Sequence, residues 1–197
     1  MEVYDHIFKI KHNNLLPGKG SVLIAEPFLQ DVLFQRSVIL LVEHTLHGSM
    51  GFVLNKKTNR IINEFFPGFE NLSAIPIYLG GPVCSNKLFF IHTLGDIIPD
   101  SIRISKGLYF DGNFDVLKQH IIEGNPIKGK VKFFLGYSGW TKGQLGYEIK
   151  EDSWMVSHSM HGNIMLADGE SFWKHSLEVL GSKYKAWINF PKDPYMN

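Results

Sequence analysis

Short apolar runs bounded by glycine, proline and asparagine recur along this chain, a pattern typical of β-strands. The run at 37–43 is apolar on consecutive positions, which indicates a central strand covered on both faces. The run at 52–55 follows a glycine-containing turn at 47–51 and is predicted to pair with it as a hairpin. Further strands are predicted at 21–25, 75–79, 87–93, 131–137, 154–156 and 163–166, with one or two at 102–109 and a hairpin across residues 80–82.

Helices are predicted where apolar residues recur every three or four positions. One follows Asn113, a residue suited to cap a helix, and ends before the Gly-Asn-Pro sequence at 124–126. Others are predicted at 61–66, from near Thr141, and at 172–180, while residues 1–18 are expected to form an arm or a short helix. Because strands outnumber helices and hairpins join most of them, we predict an α+β fold with a curled, mainly antiparallel sheet and helices on its faces.

The composition fits a single domain spanning residues 1–197. The one cysteine cannot form an internal disulfide, and 20 basic against 19 acidic residues produce no strong field. Only three basic residues are arginine, which argues against a surface that reads nucleic-acid phosphates. The start of the chain lacks an export signal, and no apolar run reaches the roughly 20 residues of a membrane span. We therefore expect a cytoplasmic protein with no membrane association.

The glycine-dense segment at 135–145 is the most distinctive part of the chain. It follows a predicted strand and precedes a predicted helix, so its backbone N–H groups could form an anion-binding nest. Tyr137, Trp140 and Gln144 would add an aromatic wall and an amide to such a pocket. The alternative is structural: Gly136 and Gly139 let the backbone turn, and Trp140 packs in the core.

Complete catalytic or metal-binding motifs are lacking in the sequence. Ser138 lies where a nucleophile elbow would place a serine, but tryptophan occupies the second glycine position of that motif. The His-x-x-His pairs at 44–47 and 158–161 sit at strand ends, where residues three apart point to opposite faces. Cys84 follows a glycine turn and would be a lone thiol. We expect no cofactor and no metal.

Alternating lysines at 128, 130 and 132 precede and enter a predicted strand. Lysines of this kind are typical of a solvated strand edge, where they discourage edge-to-edge pairing. We therefore expect Lys132 to be exposed.

Several motifs in register resemble the YqgE/AlgH family. In the N-terminal half they are Gly-Ser-Val-Leu-Ile-Ala at 20–25, Phe-Gln-Arg-Ser-Val-Ile at 34–39, Glu-His at 43–44, Gly-Ser-Met-Gly at 48–51 and Leu-Asn at 54–55. In the C-terminal half they are Gly-Gly-Pro-Val at 80–83, the stretch 88–92, Leu-Gly-Tyr-Ser-Gly-Trp at 135–140, Gly-Gln-Leu at 143–145, Glu148 and Trp154. The chain departs from the family pattern at Gly146, where an acid is usual, at Lys56-Lys57 and at Ser49.

The resemblance implies an α+β fold whose bifurcated, mainly antiparallel sheet curls into a pseudo-barrel flanked by helices. It implies no biochemical activity, although members are often labelled transcriptional regulators. We expect some motif residues to converge at one end of the sheet as a ligand-binding pocket. The candidates are Arg36, His44, Asn55, Gly80, Gly81, His92, Gly136, Tyr137, Gly139, Trp140, Gln144 and Glu148.

Three functions remain open at this point. The favoured one is a non-enzymatic binding or regulatory module that acts on a protein partner or a small ligand. The second is an enzyme or redox protein with a small-molecule pocket around residues 136–144, using His44, His92, Cys84 or Glu148. The third, direct DNA binding, fits poorly with the balanced charge. Exposed-looking aromatic segments also permit a homodimer.

Overall fold

The computed structural model describes residues 11–158 and 164–191, and the ten strands found there form one branched sheet. The strands are β1 (Val22–Ala25), β2 (Val38–Thr45), β3 (Gly48–Val53), β4 (Lys57–Ile61), β5 (Pro76–Leu79), β6 (Val83–His92), β7 (Ile102–Ser105), β8 (Leu108–Phe110), β9 (Val131–Thr141) and β10 (Trp154–Ser157). The helices in this part are α1 (Phe114–Ile122), α2 (Gln144–Lys150) and α3 (Gly169–Leu180), with 3₁₀ segments at Ile62–Glu64, Ile164–Leu166 and Ser182–Asn189.

The sheet branches at β9. Its main order is β10-β1-β2-β3-β9-β6-β8-β7, and β5 pairs with β9 as well as with β4. On one side of β9, β5 pairs with residues 133–135 and β3 pairs with residues 138–141, while β6 lies on the other side. Only the β5–β9 pair is parallel among these strands. The predicted α+β class and the bifurcated, mainly antiparallel sheet are therefore confirmed.

The sheet curls around one inner core. Leu40 and Phe52 from its middle share a single cluster with Ile104 from the far strand β7. Gly20, just before β1, lies so close to Ile104 and Ser105 that a Cβ there would meet them at 3.7–3.8 Å. Because β10 and β7 do not pair, the curl stays an open pseudo-barrel and does not close.

Helices cover both faces of the sheet. On the outside, α1 packs Leu117 against one half and α2 packs Leu145 against the other. Asn113 accepts a hydrogen bond from the Val116 amide at 3.1 Å, which confirms the predicted cap. On the inside, α3 and the 3₁₀ segment after it contribute Trp173 to the inner core, among other residues. No helix in the described ranges has the length and apolar character needed to cross a bilayer.

Several local predictions are wrong, and each has a physical reason. Residues 61–66 form the end of β4 and a short 3₁₀ turn, because Ile61 pairs with Pro76 in the sheet. The hairpin across 80–82 is absent, since β5 and β6 lie on opposite sides of β9. The helix predicted from near Thr141 is present, but it begins three residues later, at Gln144, because β9 continues through residue 141.

At the chain's edges the predictions are only partly testable. The strand predicted at 163–166 is a 3₁₀ turn over Ile164–Leu166, and residue 163 lies outside the described residues. Residues 1–10 of the predicted arm also lie outside them, as do His161 and the tail from residue 192. Residues 11–18 are described and contain no helix.

Lys132 is buried, and its predicted exposure is wrong. It lies in β9 two residues before Phe134, which belongs to the inner core, so strand alternation turns both side chains inward. Its Nζ donates to the Ala167 carbonyl at 2.6 Å and lies 3.3 Å from the centre of the Tyr78 ring. Lys132 is therefore part of the interior and does not guard an edge.

Candidate functional site

A groove of about 420 Å³ opens at one end of the sheet, between the β2–β3 hairpin and β9. We call it the sheet-end groove. It is lined by Glu43, Thr45, His47, Gly48, Ser49, Met50, Val83, Tyr137, Gly139, Trp140 and Thr141. The lining contains one carboxylate and no lysine or arginine. The anion nest of backbone N–H groups predicted for the glycine-dense segment stays a prediction.

The groove exists because three strands run past their neighbours. The β1–β2 ladder ends at Leu40, and the β6–β9 ladder ends at the pair Val83 and Tyr137. Beyond those points β2, β3 and β9 continue together, with Met50 of β3 opposite Gly139 of β9. No strand in the described part of the chain covers their inner face, and the residues exposed there are Glu43, Thr45, His47, Gly139 and Thr141.

Glycines make the wall of the groove possible. Residues 80–82 cross over β9. A Cβ on Gly80 or Gly81 would overlap backbone atoms of β9, and a Cβ on Gly136 would overlap the Gly81 and Val83 carbonyls. Gly136 also has a φ of 66°, a conformation that side chains disfavour. The crossing carries the chain from β5 to the opposite side of β9, which places Val83 beside Tyr137. These three predicted site residues shape the groove without lining it.

Trp140, Gln144 and Glu148 form one hydrogen-bonded bracket behind the groove. The Trp140 and Trp154 indoles each donate to the same oxygen of Glu148 at 2.8 Å. Gln144 donates to the other Glu148 oxygen at 2.9 Å, and its own oxygen accepts from the Thr141 amide at 3.0 Å. With three donors on its carboxylate, Glu148 holds α2 against the sheet end.

Two other polar residues of this region are also hydrogen-bonded. His44 lies on the β2–β3 hairpin, where its Nδ1 is 2.7 Å from the Ser49 hydroxyl. Ser138 is buried and donates to the Gly80 carbonyl at 2.9 Å. Cys84 is exposed and has a left-handed φ of 50°. Among the described residues no three histidine, cysteine or carboxylate side chains are grouped so that they could hold a metal ion.

Arg36 and Asn55 lie away from the groove, where β2 meets α3. The Asn55 side chain accepts from the Val38 amide at 2.9 Å and donates to the carbonyls of Arg36 and Gly169 at 3.0 and 2.9 Å. The Arg36 guanidinium is buried and donates to Glu170 and to the Phe190 carbonyl. Together they fasten the C-terminal helices to the sheet.

His92 lies at the far end of β6. Its Nδ1 accepts from the Leu94 amide at 3.1 Å, so Nε2 carries the proton and donates to the Asp111 carbonyl at 2.9 Å. Burial lowers the pKa of His92, although its contacts with Asp111 act in the opposite direction. The ring therefore favours the neutral form at this site.

Of the twelve predicted residues, Tyr137, Gly139 and Trp140 line the groove. Their role in ligand binding stays a prediction. Glu43, Thr45 and Met50 also line the groove and are not among the predicted site residues. The Glu-His and Gly-Ser-Met-Gly family motifs at 43–44 and 48–51 are the signal that could have identified this hairpin.

The fold and sequence have clear counterparts. A family model described as AlgH-like matches residues 22–185. The chain is 65% identical over 198 residues to a UPF0301 protein of Parabacteroides distasonis, and 47% identical over 197 residues to one of Bacteroides thetaiotaomicron, with all of each chain covered.

Two solved structures share the fold. The solution structure of the AlgH protein from Pseudomonas aeruginosa has a TM-score of 0.68 and 27% identity, covering 93% of this chain and 98% of that one. A crystal structure of a Corynebacterium diphtheriae protein has a TM-score of 0.74 and 21% identity, covering 92% and 95%. The second likeness is one of fold alone.

Proposed function

This chain belongs to the AlgH-like family, and from that premise we propose that it is a cytoplasmic binding or regulatory module that acts through the sheet-end groove. The observation that carries the proposal is the exposed inner face of three strands that continue past their neighbours. Tyr137 and Met50 offer apolar contact there, and the hydroxyls of Thr45 and Thr141 offer hydrogen bonds. A concave surface with apolar walls and a few polar groups is typical of a ligand or partner site.

The state of three candidate catalytic groups, Ser138, Glu148 and His92, supports binding over catalysis. The Ser138 hydroxyl is buried against a carbonyl, and the Glu148 carboxylate accepts three hydrogen bonds. The His92 ring is buried between an amide and a carbonyl. Groups that are saturated in this way support the fold and are poorly placed to exchange protons with a substrate.

Direct DNA binding is not part of the proposal. The groove lining includes the Glu43 carboxylate and neither lysine nor arginine. Nucleic acid is bound mainly through phosphates, which require lysine or arginine at the contact. A regulatory role would therefore act through a protein or a small molecule.

An NMR fragment screen tests the proposal. We would titrate ¹⁵N-labelled protein with a library of small aromatic and aliphatic compounds and map the shifted amides. Hits are expected to cluster on the groove lining and to be lost in Tyr137→Ala, while the control Leu46→Ala, at the exposed hairpin tip, keeps them. Hits that cluster elsewhere, or that survive Tyr137→Ala, would contradict the proposal.

A further inference from the structure

The backbone of β9 presents hydrogen-bonding groups toward the groove. The Val53 amide donates to the Gly80 carbonyl, so the backbone N–H and C=O of Val53 point to the β9 side of β3. Because these directions alternate along a strand, the backbone groups of Ser49 and Gly51 point the same way. The residues opposite them in β9, Trp140 and Ser138, therefore form their backbone hydrogen bonds with β3.

The backbone groups of Gly139, which lies between Ser138 and Trp140, must then point away from β3. Its N–H and C=O face the side of β9 on which β6 lies, but β6 reaches only as far as Val83 opposite Tyr137. Within residues 11–158 and 164–191, no strand pairs with β9 beyond that point on this side. The strand edge at Gly139 is open and runs along the groove.

Elsewhere the chain covers comparable groups with its own side chains. The Thr141 amide, next along the same edge, is capped by the Gln144 side chain at 3.0 Å. At β10, the edge strand on the other side of the sheet, Asn13 both donates to and accepts from the backbone of Val156. Unpaired strand edges invite pairing with other chains, and proteins usually block them. The edge at Gly139 has no such block among the described residues.

We propose that the edge of β9 at Gly139 binds an extended segment of a partner protein as an added β-strand. This inference rests on the proposed function, because it names the occupant of the same groove. Backbone hydrogen bonds to Gly139 would continue the line of β6, and only an extended backbone offers both a donor and an acceptor at strand spacing.

The groove also sets the side-chain preference of the segment. In an added strand, alternate side chains point to the inner face. There they would meet Tyr137, Val83 and Met50, with no side chain from Gly139 in the way. The partner segment should therefore carry an apolar residue opposite Gly139 and tolerate variation at its neighbours.

The test uses a displayed library of random linear peptides selected on the full chain. Selected peptides are measured by fluorescence anisotropy against wild type, Gly139→Pro, Gly139→Ala and Tyr137→Ala. Gly139→Pro removes the outward N–H and should weaken binding about tenfold, whereas Gly139→Ala keeps it and should change binding by less than about threefold. Proline is tolerated on open strand edges.

A second measurement leaves the protein unchanged. In a scan of successive peptide nitrogens, methylation of the nitrogen that donates to the Gly139 carbonyl should weaken binding about tenfold. Methylation of its two neighbours, whose amides point away from β9, should have little effect. The inference is overturned if no methylation and no Gly139→Pro substitution changes the peptide affinity. The proposed function still stands in that case if Tyr137→Ala abolishes binding. If no variant matters, both fail.

Two further outcomes also overturn the inference. One is a selection that yields no peptide bound by wild type. The other is a dimer of the free chain, detected by analytical ultracentrifugation, that Gly139→Pro dissociates. That result would assign the edge to a second copy of this chain.

Discussion

Lys132 gives a quantitative prediction, because its ammonium group is enclosed in the inner core with a relative exposure of 2%. Burial lowers the pKa of Lys132 from 10.5 to about 7, with Asp168 opposing the shift and Lys57 adding to it. The hydrogen bond to the Ala167 carbonyl and the contact with the Tyr78 ring offset part of the cost of holding the charge.

The expected effect of Lys132→Met follows from these contacts. When Lys132 is protonated in the folded protein, a pKa lowering of this size reduces the free energy of unfolding by roughly 4–5 kcal/mol, since one pKa unit is worth about 1.4 kcal/mol. Methionine removes that cost but leaves the Ala167 carbonyl without its donor, which costs about 1–3 kcal/mol. We expect the variant to be more stable than wild type by about 2 kcal/mol near pH 6.

The sign of the pH dependence separates this effect from simple repacking. The pKa of Lys132 in the folded state lies below its unfolded value, so between pH 7 and 10.5 the unfolded chain binds more protons. The free energy of unfolding of the wild type therefore increases as the pH rises through that window. Lys132→Met has no titrating group at this position and shows no such increase. Near pH 9.5 the variant should be no more stable than wild type.

Urea unfolding of both proteins at about pH 6 and about pH 9.5 measures the difference, because contributions from distant titrating groups cancel in the comparison. A Lys132→Met protein that is destabilised by the same amount at both pH values would refute the reasoning. That result would mean that Lys132 stays fully charged and is stabilised by its partners.

Three further substitutions, two of them with a matched control, test packing by urea unfolding. Glu148→Ala leaves two indole N–H groups without their acceptor and should cost about 2–4 kcal/mol, whereas exposed Glu151→Ala should stay within about 0.5 kcal/mol; equal effects would contradict the bracket. Asn55→Ala removes three hydrogen bonds and should cost about 2–4 kcal/mol, and a loss below about 0.5 kcal/mol would count against its fastening role. Gly81→Ala overlaps the β9 backbone and should prevent folding, while Gly146→Ala, with open space in α2, should stabilise by about 0.5–1 kcal/mol; a folded Gly81→Ala protein would disprove the tight crossing.

Local chemistry made part of this structure predictable. The consecutive apolar residues of β2 identified a strand covered on both faces. Its residues 38, 40 and 42 do pack in the inner core, and residues 39 and 41 pack in the cluster under α2. Asn113 identified the start of α1, because a capping side chain acts on an amide three residues away. Such features depend only on neighbouring residues and can be recognised from sequence.

Features that depend on distant contacts were missed. Whether the backbone groups of Gly139 are paired depends on how far β3 and β6 extend along β9. The sequence of the glycine-dense segment contains no information about either length. The prediction of an exposed Lys132 rested on its charge alone. Its position two residues before the apolar Phe134 places both side chains on the inner face of the sheet. The groove was predicted through Tyr137 and Trp140, but its other wall comes from a hairpin about ninety residues earlier.

Amide hydrogen exchange at Gly139 tests the central claim most directly. In the free protein, the Ser138 and Trp140 amides should exchange slowly, because they pair with β3, while Gly139 between them should exchange fast. A bound peptide from the selection should then slow Gly139 about tenfold or more and leave its two neighbours unchanged. Slow exchange at Gly139 in the free protein, or no protection when the peptide is bound, would contradict an open edge that binds a partner strand.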